Sequence, residues 1–458
     1  MFARQLHASA FLGFTLLTST LLKAQPPNIV FIVADDMGYA DLSSFGAPDV
    51  KTPNIDRIGE EGIKFTNIYA MGPECTPSRV SFLTGRYPQR VGGMECAIGT
   101  GNVGRYDDAT RLAQAGDLGL PPSHAVLAPK LKKAGYHNAI FGKWHLGYEE
   151  KFSPLDQGFD TFIGFLGGNV DYFRHRELSD IDVYLSGRDI LKSREGYTTD
   201  LITEDAIKYL NERRNDPHTP FFLYLPHAAP HFPFQGPKDD DGTMPSSKDW
   251  TKGSRETYLK MMESLDQSVG AVLEGIEAVG IADNTMIVFT SDHGAMKPGL
   301  NTPWRDYKGT LFEGGIRVPL LVRWPAKIAA GSTSDQVGSL MDLTRSFLEA
   351  AGTETGELNL DGEDLFTLAL DGESLIERSL HWRAKRSPQV WSATRNGKWK
   401  WIRNENDGQV SEWLFNLDDD PHEKDNLLGE GMTPRQSAIY AMLRLNHEAW
   451  ETNVAPNR

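Results

Sequence analysis

The sequence predicts an α/β fold: a large mixed, mostly parallel sheet sandwiched by helices, followed by a smaller C-terminal α+β subdomain with an antiparallel sheet. Three observations carry the prediction. Asn28–Ala34 (NIVFIVA), Pro220–Leu225 (PFFLYL) and Thr285–Thr290 (TMIVFT) are nearly all apolar and rich in β-branched and aromatic residues, the composition of strands buried on both faces. Amphipathic stretches of helical length lie between them. From about residue 375 the texture changes to short alternating runs around an Asn-Gly dipeptide, a hairpin signal.

The 458 residues suffice for one large domain plus a smaller one. Hydrophobic and charged contents of 40% and 24% are those of a soluble globular protein. Lys and Arg number 47 against 62 Asp and Glu, a net charge of −15. That excludes nucleic acid as a general partner, and an anionic substrate must be drawn by a local cluster of cations. Residues 1–24 read as a signal peptide. Arg4 gives a positive start, Phe11–Leu22 an apolar core too short to span a bilayer, and Leu22-Lys23-Ala24 a passable cleavage site. No cysteine follows for a lipid anchor, and no later run approaches the roughly 20 apolar residues of a membrane span. The expected mature protein is periplasmic or secreted, with no membrane anchor. Its expected organisation is a signal peptide over 1–24, the main domain over 25–374 and the C-terminal subdomain over 375–458.

Taken in order, the first strand ends in Asp35-Asp36. Adjacent carboxylates at the end of a buried strand repel unless a cation neutralises them; a solvated turn is the plainer alternative. Thr52-Pro53-Asn54 opens a helix that closes near Gly62. Cys75 then precedes Pro77 and Arg79. Proline suits a first helical turn, so Cys75 is expected at a helix mouth, where backbone N–H groups, the helix dipole and the Arg79 guanidinium favour an anion. A Cys75–Cys96 disulfide is the alternative that cysteine count alone suggests. Residues 92–121 read as a surface loop and Ser123–Ala134 as a helix. Asn138–Phe141 is a short strand whose extension would place Lys143 and His145, two apart, on one face. Thr199–Arg213 is a helix. After the second long strand, prolines rigidify Pro226–Pro233, which carries His227 and His231. Ser254–Val279 is a long amphipathic helix. The third long strand ends in Ser291-Asp292-His293-Gly294. A glycine-bearing loop with Lys308 precedes the strand Pro319–Arg323, and Asp335–Ala351 is a helix. Gln389–Arg395 and Lys398–Arg403 form the hairpin around Asn396-Gly397, Glu412–Leu417 adds a strand, and Thr433–Trp450 is a final amphipathic helix.

The polar clusters at Asp35-Asp36, Lys143/His145, His231 and Asp292-His293 all follow directly after apolar strands. In an open α/β sheet the site forms in the crevice outside the carboxyl ends of the strands, so these stretches should meet there, with the Cys75 helix mouth beside them. Asp35, Asp36 and Asp292 are oxygen ligands for a hard divalent cation, Ca²⁺ ahead of Mg²⁺ or Mn²⁺, with His293 as ligand or near neighbour. Arg79, Lys143 and Lys308 supply positive charge, and His145 and His231 can move protons. This is equipment for transferring a sulfuryl or phosphoryl group.

The sequence resembles the type I, formylglycine-dependent sulfatases of the alkaline phosphatase superfamily. Cys75-Thr76-Pro77-Ser78-Arg79 matches their Cys-x-Pro-x-Arg signature. Asp35-Asp36, Gly142-Lys143-Trp144-His145-Leu146-Gly147, Ala229-Pro230-His231, Ser291-Asp292-His293-Gly294, Lys308-Gly309-Thr310 and Gly397-Lys398-Trp399-Lys400 match in the family's order. The resemblance implies an alkaline phosphatase-like fold and a maturing enzyme that oxidises Cys75 to formylglycine (3-oxoalanine), which leaves Cys96 a free thiol. It further implies that Asp35, Asp36, Cys75, Asp292 and His293 surround the metal, although the family often has Asn where this chain has His293. It makes Asp292 the activator of the attacking hydroxyl, His231 and Lys308 the aids to the departing alcohol, Arg79 and Lys143 the anchors of the aldehyde diol and of sulfate charge, and His145 the base that releases sulfate. The expected substrate is a sulfated polysaccharide or oligosaccharide. Glu95, Asp171, Tyr172, Arg174, His175, His227, Trp304 and Arg305 are candidates to read the sugar, with loop packing as the plainer alternative. A phosphodiester or phosphonate monoester hydrolase on the same scaffold, or an inert glycan-binding homologue, are the rival readings.

Overall fold

A computed structural model describes residues 25–455, apart from 93, 179–182, 192–193, 247–251 and 371–376. The expected signal peptide and the expected boundary at 374/375 lie outside the described residues. Strands β1 (Asn28–Ala34), β2 (Ile63–Tyr69), β3 (His137–Lys143), β4 (Thr161–Phe165), β5 (Tyr184–Ser186), β6 (Asp189–Ile190), β7 (Phe221–Pro226), β8 (Thr285–Ser291), β9 (Arg317–Arg323), β10 (Ser332–Ser334) and β11 (Gly338–Ser339) form one sheet. Its order is β10-β2-β9-β8-β1-β7-β3-β4-β5-β6, with β11 also on β2. β1 runs parallel to both neighbours, while β9 runs antiparallel to β8 and β2. The sheet is therefore mixed and mostly parallel, as predicted.

The helices are α1 (Pro53–Glu60), α2 (Cys75–Thr84), α3 (Asp107–Ala115), α4 (Leu127–Lys133), α5 (Thr198–Arg213), α6 (Arg255–Ala278), α7 (Glu313–Ile316), α8 (Asp342–Ala350), α9 (Leu365–Leu370) and α10 (Pro434–Val454). α1, α5 and α6 cover one face of the sheet, and α2, α4 and α8 the other. Within β1, Ile29, Phe31 and Val33 enter one apolar layer and Val30, Ile32 and Ala34 the other, all fully buried. Both faces are dry, so the two-residue period disappears into a continuous apolar run. Val33 pairs with Pro226 and Ala34 with Ser291. The three central strands thus finish level, and Asp35, His227 and Asp292 leave the sheet at the same edge.

β12 (Ser379–Arg386), β13 (Gln389–Asn396), β14 (Trp399–Asn406) and β15 (Gln409–Asn416) form a separate antiparallel meander with α10 packed on it. An apolar cluster joins it to the main sheet: Trp382, Trp391 and Phe415 meet Tyr69, Phe312 and Ile316. Trp382 Nε1 donates to the Ala70 carbonyl at 2.8 Å.

The structure corrects several local expectations. Residues 92–121 contain α3. The helix expected from Ser123 begins at Leu127, because Ala125 is extended (φ −62°, ψ 131°) and separates it from a short turn at Pro122–His124. The helix expected from Asp335 begins at Asp342, whose carboxylate accepts from the Ser339 amide at 2.7 Å; the residues before it pair with β2 instead. β3 ends at Lys143, and His145 takes φ 58°, so the strand directs Lys143 and a turn rather than strand alternation directs His145. Asn396 pairs with Trp399, which makes Gly397-Lys398 the hairpin loop, one residue later than Asn-Gly. The strand Ser379–Arg386 was not visible as a separate run.

Candidate active site

Cys75 is the first residue of α2, and Glu74 before it is extended (φ −147°, ψ 161°). Helix α2 is buried along its whole length, and Arg79, one turn in, is fully enclosed. Around Cys75 Sγ stand His293 Nε2 at 3.4 Å, Asp35 Oδ1 and Lys143 Nζ at 3.5 Å, and Lys308 Nζ at 3.6 Å. These residues come from the ends of β1, β3 and β8 and from the turn before β9. Cys75 and Cys96 are both free and buried, so the disulfide alternative does not hold.

The three carboxylates are held in turn. Asp35 pairs with Lys143 and lies 3.5 Å from Arg79 Nη2. Asp36 takes φ 62°, a left-handed conformation that L residues seldom adopt. Its amide donates to Asp292 Oδ1 at 3.3 Å, and its Oδ1 accepts from Lys308 Nζ at 2.6 Å. Asp292 accepts from Arg79 Nη2 at 3.0 Å. Arg79 Nη1 reaches the Lys143 carbonyl at 3.4 Å and the Tyr224 hydroxyl at 3.3 Å. Ser78 Oγ donates to the Asp292 carbonyl. His231 Nε2 lies 3.6 Å from Asp36 Oδ2, and its Nδ1 faces the Phe232 carbonyl at 2.5 Å.

Burial alone would push the Cys75 thiol up, but Lys143, Lys308 and His293 outweigh it and hold the thiol well below its ordinary value. Burial also opposes charge on His293, yet Asp292 lifts it to about 9. Burial holds His145 down to about 4; its ring is neutral at pH 7, and its Nδ1 has no hydrogen-bond partner. Burial raises the Asp292 carboxyl, which makes it a better proton acceptor than a surface aspartate.

The donor set fits a hard cation. Ligand atoms of Asp35, Cys75, Asp292 and His293 lie within 4.8 Å of one another, as do those of Asp35, Asp36, Cys75 and His231. Asp36 Oδ2 is buried without a hydrogen-bond donor, which is costly unless a ligand takes the lone pairs. His293 joins such a ligand set through Nε2 only after giving up its proton.

The crevice therefore brings together Asp35, Asp36, Cys75, Arg79, Lys143, His145, His231, Asp292, His293 and Lys308. It does not bring the sugar-reading candidates with them. His227 is fully buried, with Nε2 3.5 Å from Ser268 Oγ of α6. Asp171 spends its oxygens on the Phe173 and Arg174 amides and on Gln235 Nε2. Arg174 pairs with Asp240 at 2.7 Å, and His175 Nε2 faces the Gly196 carbonyl at 2.9 Å. Arg305 lies over the Phe312 ring, and Glu95 pairs with Arg383 at 2.6 Å. Trp304 packs on Tyr39 and Arg317. These side chains are engaged by neighbours of their own loops or of other elements. Tyr172 alone of the group reaches a crevice residue, its hydroxyl donating to the His231 carbonyl at 3.0 Å.

Sequence reasoning missed Tyr224, hidden inside an apolar strand, and Gly168. A Cβ on Gly168 would stand 2.6 Å from His145 Nε2, so the glycine makes room for the imidazole. A cavity of about 280 Å³ lined by Phe232, Phe234, Asp239 and Asp241 begins one residue beyond His231. No described helix is long and apolar enough to cross a membrane.

The family model for sulfatases matches residues 27–353, and that for the C-terminal region of N-sulphoglucosamine sulphohydrolase matches residues 302–449. Human N-acetylgalactosamine-6-sulfatase is 37% identical over 373 residues, which cover 78% of this chain and 68% of that one. Human arylsulfatase A is 31% identical over 414 residues, covering 84% and 76%. The crystal structure of Ps i-CgsB superposes with a TM-score of 0.80 at 30% identity and 94% coverage of both chains; it has also been solved in complex with k-i-k-neocarrahexaose.

Proposed function

The chain belongs to the sulfatase family of sulfuric ester hydrolases, and on that premise we propose that it is an exported enzyme that desulfates a polysaccharide or oligosaccharide through a formylglycine formed from Cys75. The observation that carries the reading is the convergence of Asp35, Lys143, His293 and Lys308 within 3.4–3.6 Å of Cys75 Sγ at the start of a buried helix. The name N-acetylgalactosamine-6-sulfatase and the complex of Ps i-CgsB with k-i-k-neocarrahexaose support a saccharide as substrate. Export rests on the composition of residues 1–24.

In this reading Cys75 Sγ stands where an oxygen of the hydrated aldehyde stands after maturation. Asp35, Asp36, Asp292 and His293 would hold a divalent cation, Ca²⁺ by the hardness of the donors, which would supply acidification of the attacking hydroxyl and offset sulfate charge. Asp292 takes the proton of that hydroxyl as its oxygen attacks sulfur. His231 and Lys308 supply positive charge and a proton to the departing alcohol oxygen. Arg79 and Lys143 hold the second hydroxyl and balance the charge left on the covalent sulfate. Neutral His145 then takes the proton of that hydroxyl, the carbon–oxygen bond to sulfate breaks, and the aldehyde re-forms. A serine in this place offers no second hydroxyl and cannot complete the last step.

The test is co-expression with a formylglycine-generating enzyme and mass measurement of the tryptic peptide that contains Cys75. It is run beside assays on 4-nitrophenyl sulfate, N-acetylgalactosamine-6-sulfate and bis(4-nitrophenyl) phosphate. Conversion of thiol to aldehyde together with preference for a sulfate ester is expected. An unconverted thiol in an active preparation, or faster turnover of the phosphodiester, overturns the reading.

A further inference from the structure

Lys308 sits on a turn that closes on itself where the Gly314 amide donates to the Arg305 carbonyl at 2.8 Å. Two backbone hydrogen bonds fasten its apex to the crevice. The Lys308 amide donates to the Ala295 carbonyl at 3.0 Å, and the Gly309 amide to the carbonyl of Pro73, two residues before Cys75, at 2.9 Å. The base of the turn is held from elsewhere in the molecule. Glu423, in the segment between β15 and α10, accepts Arg305 Nη1 on its carbonyl and the Glu313 amide on Oε2, both at 2.6 Å. One residue thus grips both ends of the turn. It does so fully buried and with φ 54°, a conformation that persists only when its surroundings impose it.

What imposes it is Lys400 of β14. This fully buried ammonium lies 2.8 Å from Glu423 Oε1 and 2.8 Å from Glu313 Oε1. Glu313 Oε2 accepts from the Tyr69 hydroxyl at 2.6 Å and from Arg317 Nη1 at 3.2 Å. Without Lys400 the two carboxylates would face each other out of water. Apolar packing, being non-directional, would glue the subdomain down without setting where the turn sits; hydrogen bonds accepted by one carboxylate and one carbonyl set it. A second contact of the same subdomain points the same way. Arg386, at the end of β12, pairs with Glu74 at 2.7 Å, and its Nη2 lies 2.3 Å from where a Cβ on Gly309 would stand. The antiparallel sheet therefore touches the residue before Cys75 and the residue after Lys308.

We propose that Glu423, held in place by Lys400, is a positioning residue that sets Lys308 against Asp36 and position 75, and that the C-terminal sheet is thereby part of the catalytic apparatus. What Lys308 does there rests on the sulfatase reading; where it is held does not. Glu423→Ala leaves Lys400 paired with Glu313, so no buried charge is stranded, and Glu423→Gln keeps an oxygen for the Glu313 amide. On 4-nitrophenyl sulfate, Glu423→Ala is expected to lower kcat by about 30-fold with KM nearly unchanged, the signature of a displaced group and not of lost binding. Added to Lys308→Ala, it should cost no more than about threefold further, since both act through one ammonium. Glu423→Gln should recover most of the rate. Hydrogen exchange read on the peptide 302–316 should quicken about tenfold in Glu423→Ala while that of β1 and β8 stays the same. Unchanged exchange over 302–316, or a full additive loss in the Lys308→Ala background, overturns the proposal. Absence of turnover by the matured wild type sinks the sulfatase reading alone, and exchange then decides the positioning by itself.

Discussion

Two clusters of buried charge lie on either side of one short turn. At the crevice, Asp35, Asp36 and Asp292 meet Arg79, Lys143 and Lys308; beneath the C-terminal sheet, Glu313 and Glu423 meet Lys400, with Arg317 and Arg395 close by. Both are largely buried and both set acid against base. They differ in what is left over. Glu313 closes on Lys400, Tyr69 and Arg317, and Glu423 gives Oε2 to an amide and sets Oε1 2.8 Å from Lys400 Nζ, an ion pair without a directed hydrogen bond. At the crevice Asp36 Oδ2 has no donor, His145 Nδ1 has no partner, and three positively charged groups crowd one sulfur. Ligand atoms that converge within 4.8 Å of one another, as they do around Cys75, leave room for a ligand, while two carboxylates neutralised by one shared ammonium make a joint.

Cys75→Ala separates the two clusters most sharply. If the crevice is the reactive cluster, turnover of a sulfate ester falls by about 10⁴-fold, which is about 5.5 kcal/mol of transition-state stabilisation, while urea unfolding hardly changes. Steady-state rates within tenfold of wild type would contradict the assignment. At the joint the expectation is reversed. Lys400→Met strands Glu313 and Glu423 together and should lower the unfolding free energy by about 3–5 kcal/mol, with Glu423→Gln restoring part of it. A loss below about 1 kcal/mol would mean that water or Arg395 already neutralises the pair.

Removal of a cation separates the clusters again. If the orphaned Asp36 oxygen belongs to a Ca²⁺ site, wild type gains about 2.7 kcal/mol in urea when Ca²⁺ is at 100 times its dissociation constant, and chelation reverses the gain. Asp36→Asn should lose most of that gain, whereas Glu423→Gln should keep it. Equal responses in the two variants would show that the binding lies elsewhere.

The crevice was legible in the sequence for a physical reason. Parallel strands that pair in register end level, so a polar residue directly after an apolar run lands at the shared edge wherever it falls in the chain; Asp35, Asp292 and Lys143 are placed by that rule alone. His145 reached the same place by a left-handed turn that periodicity does not encode. The sugar-reading candidates carried less information because a charged residue in a loop is as readily bound to its own loop, as Asp171 is to residues 173 and 174. The joint was invisible. Lys400 and Glu423 lie 23 residues apart in a segment that reads as an ordinary alternating hairpin and loop, and their partner Glu313 comes from α7, before β9 of the main sheet. Nothing local marks a residue whose counter-charge arrives from 87 positions away.

The smallest effect concerns protons. His227, against α6, and His381, packed between Thr394 and Trp450, are both held down to about 3 by burial. Neither touches the crevice. In the unfolded chain each titrates near 6.5. Below that pH the unfolded chain binds protons that the folded imidazoles refuse, so their contribution to stability, complete above about pH 6.5, is lost as pH falls toward 3. At pH 5.0 each costs roughly 2 kcal/mol. Carboxyls lifted by burial, such as Asp41 and Asp266, shift in the opposite sense, so the informative quantity is the difference between proteins. Between pH 7.5 and 5.0, His381→Phe should lose about 2 kcal/mol less than wild type in urea unfolding. A parallel pair of curves would mean that His381 takes up a proton in the folded state. The C-terminal subdomain would then admit water and ions much as the crevice does, and the contrast between a sealed joint and an open site would fail on the sealed side.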